Sequence, residues 1–377
     1  MSNITGKAMV VTGQGIPWEM REYPVPDPEP DAIVAKITLS SICGSDIHTY
    51  KGEYKGRTDI LGSKEKPRIL GHEMMGRIYK LGSNVKADFT GQVLREGDRV
   101  VWCYFKPCGQ CQSCINDVSP CPNRLKEFSN SSEEFPHFTG AFAEYYYLRP
   151  GQWIYKVPDT LPDEAVVYVN CAASTVAYGL QKVDLPLGAQ VVIQGAGGLG
   201  VIAAPLVKDM GASRVIVIDR LSQRLDLATL FGADYTINID EYPTVESRIE
   251  RVKELTGGKG TELTIEVASA PDAVSEGVQM LAPGGTYLTM GIVTGGQFSS
   301  LDMATFIMKG LKLVGSANYR AGTIPRVLDF MERNREKYPF EKMISHKFRL
   351  QDIEEAFKQI MAGKVLRAAI AMDEKEE

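Results

Sequence analysis

Three short motifs carry side chains that could bind a metal ion together. They are Cys43-Gly-Ser-Asp-Ile-His48, Gly71-His72-Glu73 and Asn170-Cys171. Sulfur and imidazole are donors that zinc prefers, and a catalytic zinc takes three protein ligands and keeps a fourth position open. The cysteines, histidines and carboxylates of these motifs are candidates for such a set, and their spacing alone does not select among them. Taken singly, a buried cysteine or histidine is more often structural, so only their joint occurrence with the motifs below favours a metal site.

A second group of cysteines lies within fourteen residues, at Cys108, Cys111, Cys114 and Cys121. A closed tetrahedral zinc site needs four thiolates, and one tight loop presents them all. Bound metal would order a lobe, predicted over 103–124, that has little apolar core of its own. An iron–sulfur cluster is the alternative for the same cysteines. A nucleic-acid zinc module is excluded, because it shows two cysteine pairs with a longer spacer and basic surroundings.

A glycine-rich segment, Gly195-Ala-Gly197-Gly198-Leu199-Gly200, follows an apolar strand and opens a predicted helix. In that context Gly195 permits a tight turn, Gly197 lets backbone N–H groups approach a pyrophosphate, and Gly200 packs helix against strand. The helix N-terminus adds positive potential for the phosphates. Without a nucleotide, the same glycines would form an ordinary turn of an α/β domain.

Asp219 follows Gly200 by 19 residues, at the end of the next predicted strand. A carboxylate there accepts hydrogen bonds from both ribose hydroxyls and repels a 2′-phosphate, which favours NAD over NADP. Arg220 and Arg224 lie close in sequence and weaken that preference, because they are positive. NADP therefore stays open as the alternative coenzyme.

The predicted elements divide the chain into two kinds of structure. In the first third, short apolar strands such as 8–11, 33–39 and 99–102 are separated by Gly and Pro, which indicates an antiparallel β region. The serine-rich segment 125–139 is predicted as a surface loop. Further on, strands and helices alternate, which predicts a doubly wound parallel sheet. These elements are strands at 191–194, 214–219, 263–267 and 286–291, helices at 199–210, 222–231, 270–281, 305–309, 324–335 and 353–362, and a final strand at 367–372.

Bulk composition narrows the class of protein. Apolar residues make up 44% and charged residues 24%, the balance of a soluble globular chain. The formal net charge of −5 argues against general attraction to nucleic acid or anionic lipid. We expect no membrane span, because the most apolar stretch, 191–207, is broken by glycines and a proline. We also expect no secretory signal. Seven cysteines, an odd count, favour a reducing compartment, and we expect the cytoplasm.

The order of these motifs resembles the zinc-containing medium-chain dehydrogenase/reductase family over essentially the whole chain. The matching segments are Cys43-Gly-Ser-Asp46, Gly71-His-Glu73, the four-cysteine lobe, Gly140-Ala-Phe-Ala-Glu144, the glycine-rich segment and Gly363-Lys-Val-Leu-Arg367. The resemblance implies an α/β protein with a GroES-like antiparallel β catalytic domain at 1–172 and 320–377. A Rossmann doubly wound parallel-sheet coenzyme domain would be inserted between them, at 173–319.

The resemblance also implies how the metal ions are held. Cys43, His72 and Cys171 would bind the catalytic zinc, and the four-cysteine lobe a structural one, which makes two zinc ions per chain. Glu73 would be a further ligand or a partner of the ligands. Asp46 would orient His72.

Other positions are implied to handle the coenzyme and the proton. Thr175 would contact the nicotinamide, and Arg367 the pyrophosphate. Ser45 would accept the substrate proton and His48 would pass it to solvent. The positions expected around the substrate are Tyr54, Trp102, Tyr104 and Ile292, the last also touching the coenzyme. Aromatic walls suit a medium-sized or cyclic alcohol, although the tyrosines would equally fill a core.

The implied function is hydride transfer between a secondary, medium-sized or cyclic alcohol and NAD, with zinc stabilising the alkoxide. The implied partner is a small alcohol or carbonyl compound, in a homodimer or homotetramer, without nucleic acid or membrane. Two departures stand out: the Cys114–Cys121 spacing is one residue short, and Cys171 stands where polyol-type members carry Glu, which disfavours a close sorbitol dehydrogenase. The alternatives are a zinc-free quinone or enoyl reductase of the same fold and a non-catalytic nucleotide-binding relative.

Overall fold

The computed structural model describes residues 4–54, 62–116, 118–126, 130–291 and 294–372. The chain folds into two compact units. The first unit consists of Met1–Cys171, Arg320–Arg335 and Phe340–Glu377, and the second of Ala172–Tyr319 and Glu336–Pro339. The chain thus leaves the first unit after residue 171 and returns to it at residue 320.

The elements of the described residues are the following. The strands are β1 (Thr5–Val11), β2 (Glu19–Pro24), β3 (Ile33–Ser41), β4 (Arg68–Ile69), β5 (Glu73–Leu81), β6 (Arg99–Trp102), β7 (Phe105–Lys106), β8 (Leu125–Lys126), β9 (Tyr145–Leu148), β10 (Ile154–Lys156), β11 (Gln190–Gln194), β12 (Arg214–Asp219), β13 (Tyr235–Asn238), β14 (Thr261–Glu266), β15 (Leu281–Thr289), β16 (Lys312–Gly315), β17 (His346–Arg349) and β18 (Ala368–Ala371). The α-helices are α1 (Gly44–Tyr50), α2 (Gln112–Ile115), α3 (Asp163–Val166), α4 (Ser174–Leu180), α5 (Gly198–Asp209), α6 (Ser222–Leu230), α7 (Val245–Leu255), α8 (Asp272–Met280), α9 (Met303–Met308), α10 (Thr323–Arg333) and α11 (Ile353–Met361), and a π-helical turn spans Val169–Ala173.

The main sheet of the first unit is built on the largely buried strand β3, which pairs antiparallel with β5, β9 and β18. The order across the sheet is β10-β6-β5-β3-β18-β17, with β17 and β18 parallel. Gly76 in β5 permits close pairing, because a Cβ there would lie 2.1 Å from the carbonyl oxygen of Lys36. The predicted antiparallel β region is therefore confirmed, with β17–β18 as a parallel exception.

The second unit contains a parallel sheet in the order β13-β12-β11-β14-β15-β16. β12 and β13, which follow β11 in the chain, lie on one side of β11 in the sheet. The later strands β14, β15 and β16 lie on its other side. β11 and β12 are buried along nearly their whole length, as expected for strands covered on both faces. This order confirms the predicted doubly wound fold. In such sheets the ligand crevice lies where the order reverses, at the carboxyl ends beside β11.

One surface prediction is wrong in part. In the described part of the serine-rich segment 125–139, Ser132 and Phe138 are completely buried, whereas Glu133, Glu134 and Phe135 are exposed. The Ser132 hydroxyl finds partners inside: it lies 3.2 Å from the carbonyl oxygen of Pro67, to which it donates, and 2.9 Å from the Tyr23 hydroxyl. A buried serine is tolerated in a core when its hydroxyl forms hydrogen bonds there. The composition of the segment does not reveal such partners.

Strands β13 and β16 and helix α7 are absent from the sequence prediction. The two strands have only four residues each, too few for a clear alternation. Helix α7 is mostly charged, and one of its buried positions is Arg248, so its apolar stripe is interrupted. The helix predicted at 270–281 ends at Met280, because Leu281 already belongs to β15. No helix in the described part of the chain is long and apolar enough to cross a bilayer.

Candidate functional site

Cys43, His72 and Cys171 come together in the first unit. Cys43 is the N-cap of α1, two residues after the end of β3, and His72 directly precedes β5. Cys171 lies in the π-helical turn, a feature frequent at functional sites. Their ligand atoms lie within 4.8 Å of one another, and all three residues are buried. Two sulfurs and one imidazole nitrogen at this separation fit a zinc ion that keeps a position for another ligand. We refer to these three residues as the buried cluster.

Asp46 in α1 holds two members of the buried cluster. Its Oδ1 lies 3.0 Å from Nδ1 of His72, and its Oδ2 accepts a hydrogen bond from the backbone N–H of Cys43 at 2.9 Å. When Nδ1 of His72 donates to Asp46, the other ring nitrogen, Nε2, carries the lone pair that a metal ion needs. Oγ of Ser45 lies 3.3 Å from this Nε2. Ser45 therefore faces the side of the imidazole on which a metal ion would bind.

The three side chains of the buried cluster shift one another's proton affinities. The hydrogen bond from the Cys171 thiol lowers the pKa of Cys43 well below its usual range, against the effect of burial. The same hydrogen bond, together with burial, raises the pKa of Cys171. Burial alone would lower the pKa of His72, but the negative charges of Asp46 and Cys43 raise it well above its usual value. The Cys43 thiolate and the Asp46 carboxylate thus place negative charge in a buried position, where a bound cation would compensate it.

Glu73 is completely buried next to the cluster but does not belong to it. Its Oε2 accepts hydrogen bonds from Arg367 and Ser41, and its Oε1 has no hydrogen-bond partner among the described residues. Burial raises the pKa of Glu73 to about 7, although the charge of Arg367 opposes the shift. Arg367 is itself buried, with its guanidinium 5.5 Å from the ring centre of Tyr168. Its contact with a pyrophosphate and the metal-ligand role of Glu73 stay predictions.

His48 in α1 has access to solvent, since its side chain is 26% exposed. Its Nδ1 forms a hydrogen bond with the carboxylate of Glu53, a residue that no sequence motif marks. The ring of Tyr54 meets the His48 ring edge-on, 6.4 Å between centroids. Burial raises the pKa of Tyr54, and the negative charge of Cys43 adds to the shift, so Tyr54 lies close to the buried cluster.

The other residues predicted around the substrate differ in position. The ring of Tyr104 lies 4.8 Å from the His72 ring between centroids, so Tyr104 forms part of the wall of the buried cluster. Trp102 is completely buried, and its ring packs 5.3 Å from that of Tyr146, within the core of the first unit. Ile292 lies outside the described residues.

The four remaining ligand candidates form a second group, which we call the four-cysteine cluster. The Sγ–Sγ distances are 3.6 Å for Cys111–Cys114, 3.7 Å for Cys111–Cys121 and for Cys108–Cys121, and 4.0 Å for Cys108–Cys114. A tetrahedron with zinc–sulfur bonds of about 2.3 Å has sulfur–sulfur edges of about 3.8 Å, whereas a disulfide measures about 2 Å. The thiols thus fit one tetrahedral zinc ion despite the short Cys114–Cys121 spacing.

In the second unit, the glycine-rich segment joins β11 to α5. Gly195 has a φ of +101°, and a Cβ there would lie 2.9 Å from Cα of Ala268. A Cβ on Gly200 would lie 1.8 Å from the carbonyl oxygen of Gly195, so only glycine permits this crossing. Apart from its two chain neighbours, no described residue has an atom within 4 Å of a Cβ added to Gly197. That open space in front of the α5 N-terminus fits the pyrophosphate of a dinucleotide.

Asp219, at the end of β12, is tied to the glycine-rich segment. Its Oδ2 accepts a hydrogen bond from the backbone N–H of Ala196 at 2.7 Å. Of the two neighbouring arginines, Arg224 approaches Asp219 to 3.9 Å, while Arg220 is exposed and pairs with a different carboxylate. Thr175 lies in α4 of the same unit. The coenzyme contacts of these four residues stay predictions.

The chain matches two family models and several known proteins. The model described as "Alcohol dehydrogenase GroES-like domain" matches residues 29–159, and that described as "Zinc-binding dehydrogenase" matches residues 198–333. The 5-exo-hydroxycamphor dehydrogenase of Pseudomonas putida is 31% identical over 355 residues, 93% of this chain and 95% of that protein. The L-threonine 3-dehydrogenase of Pyrococcus horikoshii is 30% identical over 95% of this chain and 96% of its own. The crystal structure of an alcohol dehydrogenase from Thermotoga maritima superposes with a TM-score of 0.89 at 26% identity, over 98% of this chain and all of the other.

Proposed function

The chain belongs to the zinc-containing medium-chain dehydrogenase/reductase family, and on that premise we propose that it is a zinc-dependent, NAD-linked alcohol dehydrogenase. The observation that carries the proposal is the buried cluster of Cys43, His72 and Cys171. Three protein ligands leave one position of a tetrahedral ion for another molecule, which is the arrangement of a catalytic zinc rather than a structural one.

The chain's own residues supply the proton path of this reaction. When bound, zinc supplies a Lewis acid and the nicotinamide a hydride acceptor. The Ser45 hydroxyl, which faces Nε2 of His72 at 3.3 Å, accepts the proton of the alcohol. His48 transfers that proton to solvent: Glu53 engages its Nδ1, so its Nε2 is the nitrogen that takes the proton.

We infer that the substrate is a secondary alcohol of medium size or cyclic shape. Tyr104 lies against His72, and Tyr54 lies close to Cys43, which supports a pocket with aromatic walls. The relative named for 5-exo-hydroxycamphor is in keeping with such a substrate. The tyrosines would select by shape rather than by charge.

NAD is the coenzyme that we propose, on the strength of Asp219. This buried carboxylate ends β12 and sits beside the glycine-rich segment, where it would repel a 2′-phosphate. Arg224 is the residue that could offset the repulsion, since it lies 3.9 Å from Asp219. Replacement of Asp219 by glycine is expected to raise the ratio of NADP to NAD efficiency.

The decisive experiment follows absorbance at the reduced-nicotinamide band with NAD and with NADP. The panel contains primary, secondary and cyclic alcohols together with 5-exo-hydroxycamphor and L-threonine. We expect oxidation of a secondary or cyclic alcohol with NAD, and two zinc ions per chain by metal analysis. Activity that survives complete removal of the metal would favour the zinc-free reductase instead, and no turnover with any alcohol or carbonyl compound would refute the proposal.

We also infer that the chain forms a homodimer through the edge of its parallel sheet. Strand β16 pairs with β15 on one side only among the described strands. The large apolar side chains of Phe298, Ile307 and Met308, which precede β16 in the sequence, are 89%, 69% and 85% exposed. An open sheet edge together with exposed apolar side chains favours pairing with a second copy about a twofold axis. Light scattering should give a dimer mass or its multiple, and a monomer for Ile307→Lys combined with Met308→Lys.

A further inference from the structure

The side chain of Asn170, which is completely buried, connects three parts of the first unit. Its Nδ2 donates to the carbonyl oxygen of Trp102 at 2.8 Å and to that of His72 at 3.2 Å. Sδ of Met74 lies 3.6 Å from the same nitrogen. Trp102 ends β6, His72 directly precedes β5, and Asn170 itself lies in the π-helical turn. One amide thus bridges two strands and the turn beside them.

The chemistry of these contacts requires an amide nitrogen. Both oxygens are backbone carbonyls, which only accept hydrogen bonds, so the group that faces them has to donate twice. An NH2 group has two N–H bonds and meets that requirement, whereas a carboxylate of the same shape would place negative charge against both carbonyls. Asparagine is therefore the side chain of this size that suits the place.

The neighbouring residue in the same turn is Cys171, a member of the buried cluster. The π-helical turn carries one extra residue per turn, so consecutive side chains leave it in directions that an α-helix would not give them. Cys171 reaches the cluster with its sulfur, and Asn170 reaches the backbone of another cluster member, His72. Two adjacent residues of one turn thus act on the same group of ligands, one through a thiol and the other through an amide.

We propose that Asn170 is a positioning residue for the metal site, fixing His72 and Cys171 relative to each other. His72 is then held at two points, because Asp46 engages its ring and Asn170 its backbone carbonyl. Fixing the ligands beforehand stabilises bound metal, and partners of metal ligands typically contribute a factor of about 10–100 in affinity. The proposal rests on the proposed function only in that the buried cluster binds metal.

Two variants separate positioning from mere packing. Asn170→Asp keeps the shape and removes the donors, and Asn170→Ala removes them without burying a charge, which covers the case that the aspartate variant does not fold. The matched control is Gln152→Glu. Gln152 is another buried amide of the first unit and donates to the carbonyl oxygen of Cys103 at 2.7 Å and to the Tyr146 hydroxyl at 3.1 Å, and neither partner belongs to a cluster.

The experiment loads the metal-depleted full-length chain with cobalt(II), which reports its geometry through its visible bands. Titration with a chelator measures the affinity of each ion. We expect two cobalt ions in the unchanged chain and in Gln152→Glu. In Asn170→Ala the ion with mixed sulfur and nitrogen ligands should bind about 10–100-fold more weakly, with shifted visible bands, while the four-thiolate ion keeps its affinity.

The outcomes decide between the proposals. Affinity within twofold of the unchanged chain, with the same bands, in both Asn170 variants would overturn the positioning role and leave the proposed function intact. Equal weakening in Gln152→Glu would reduce Asn170 to a packing residue. A single four-thiolate cobalt ion in the unchanged chain would overturn both proposals.

Discussion

The two clusters of metal-ligand candidates differ in how the chain assembles them. The four-cysteine cluster takes all its thiols from the fourteen residues between Cys108 and Cys121, and three of them are only partly buried. The buried cluster takes its ligands from positions 43, 72 and 171, and none is exposed. A local loop closes on a metal with little help from the fold, whereas the buried cluster exists only after strands far apart in sequence have paired.

Their surroundings differ as well. Three residues surround His72 in the buried cluster. Asp46 holds its imidazole ring, Ser45 faces the ring, and Tyr104 forms an aromatic wall against it. The four-cysteine cluster offers four sulfurs and the four-residue helix α2. Groups that can move a proton or shape a substrate are thus concentrated where the ligand set is incomplete. The comparison predicts chemistry at one site and local stability at the other.

Replacing Cys43 by serine should produce the largest effect on turnover. Removal of one of three ligands empties the buried cluster, and the loss of several kcal/mol of transition-state stabilisation lowers turnover at least about a thousandfold. Metal analysis should find one ion in place of two. Cys103→Ser, a buried cysteine outside both clusters, is the control and should keep both ions. Full turnover with both ions retained in Cys43→Ser would erase the distinction between the sites.

The next effect in size is expected for Ser45→Ala. The variant loses the hydroxyl that accepts the proton, and turnover should fall about a hundredfold, the lower end of the usual contribution of acid–base groups. Zinc content should stay at the level of the unchanged chain, since Ser45 is not a ligand. The control is Ser40→Ala, because the buried Ser40 hydroxyl has no partner among the described residues. If Ser45→Ala and Ser40→Ala had equal turnover, the proposed role of Ser45 in proton transfer would be contradicted.

Asp46→Asn should act on metal affinity more than on chemistry. The neutral amide oxygen accepts the Nδ1 proton of His72 more weakly than the carboxylate does, and the affinity of the buried cluster should drop about 10–100-fold. Competition with a chelator measures this, and the four-cysteine cluster serves as an internal reference within the same chain. Asp88→Asn is the matched control, since Asp88 is also a buried acid of the first unit but accepts backbone hydrogen bonds away from either cluster. Loss of metal from both clusters alike would show a general weakening of the fold.

The smallest effect on turnover is expected for Cys111→Ser. The variant removes one of the four thiolates of the four-cysteine cluster, and with it the metal ion that would order the loop. At 25 °C we expect turnover to stay within about threefold, while the thermal midpoint falls by about 5–10 °C, which a few kcal/mol would produce. Calorimetry with and without added zinc makes the measurement. A thousandfold loss of turnover with an unchanged midpoint would reverse the roles of the two clusters.

The same contrast explains what could be predicted from sequence. The Cys108–Cys121 spacing and the glycine-rich segment are local patterns whose geometry follows from a few consecutive residues, and the alternation after residue 190 predicts the parallel sheet. The buried cluster could be named only through family resemblance, because no local rule brings Cys171 to Cys43. Asn170 and Glu53 escape prediction for a related reason: each acts through a contact that exists only in the folded chain. The burial of Ser132 is not predictable from composition for the same reason, because its partners Tyr23 and Pro67 are distant in sequence.

The place of β18 in the main sheet has a consequence for how the chain is made. Ala369 pairs with Ser41, a residue 328 positions earlier, so β3 leaves the ribosome long before its partner. At bacterial or eukaryotic rates of synthesis this delay is roughly 15–65 s. The parallel sheet is complete once β16 has emerged, whereas the end of β3 that pairs with β18, residues 39–41, still presents an open edge to other nascent chains. During biosynthesis, this end of an early strand is therefore among the last parts of the sheet to be covered, and it is there that a chaperone would protect the nascent chain.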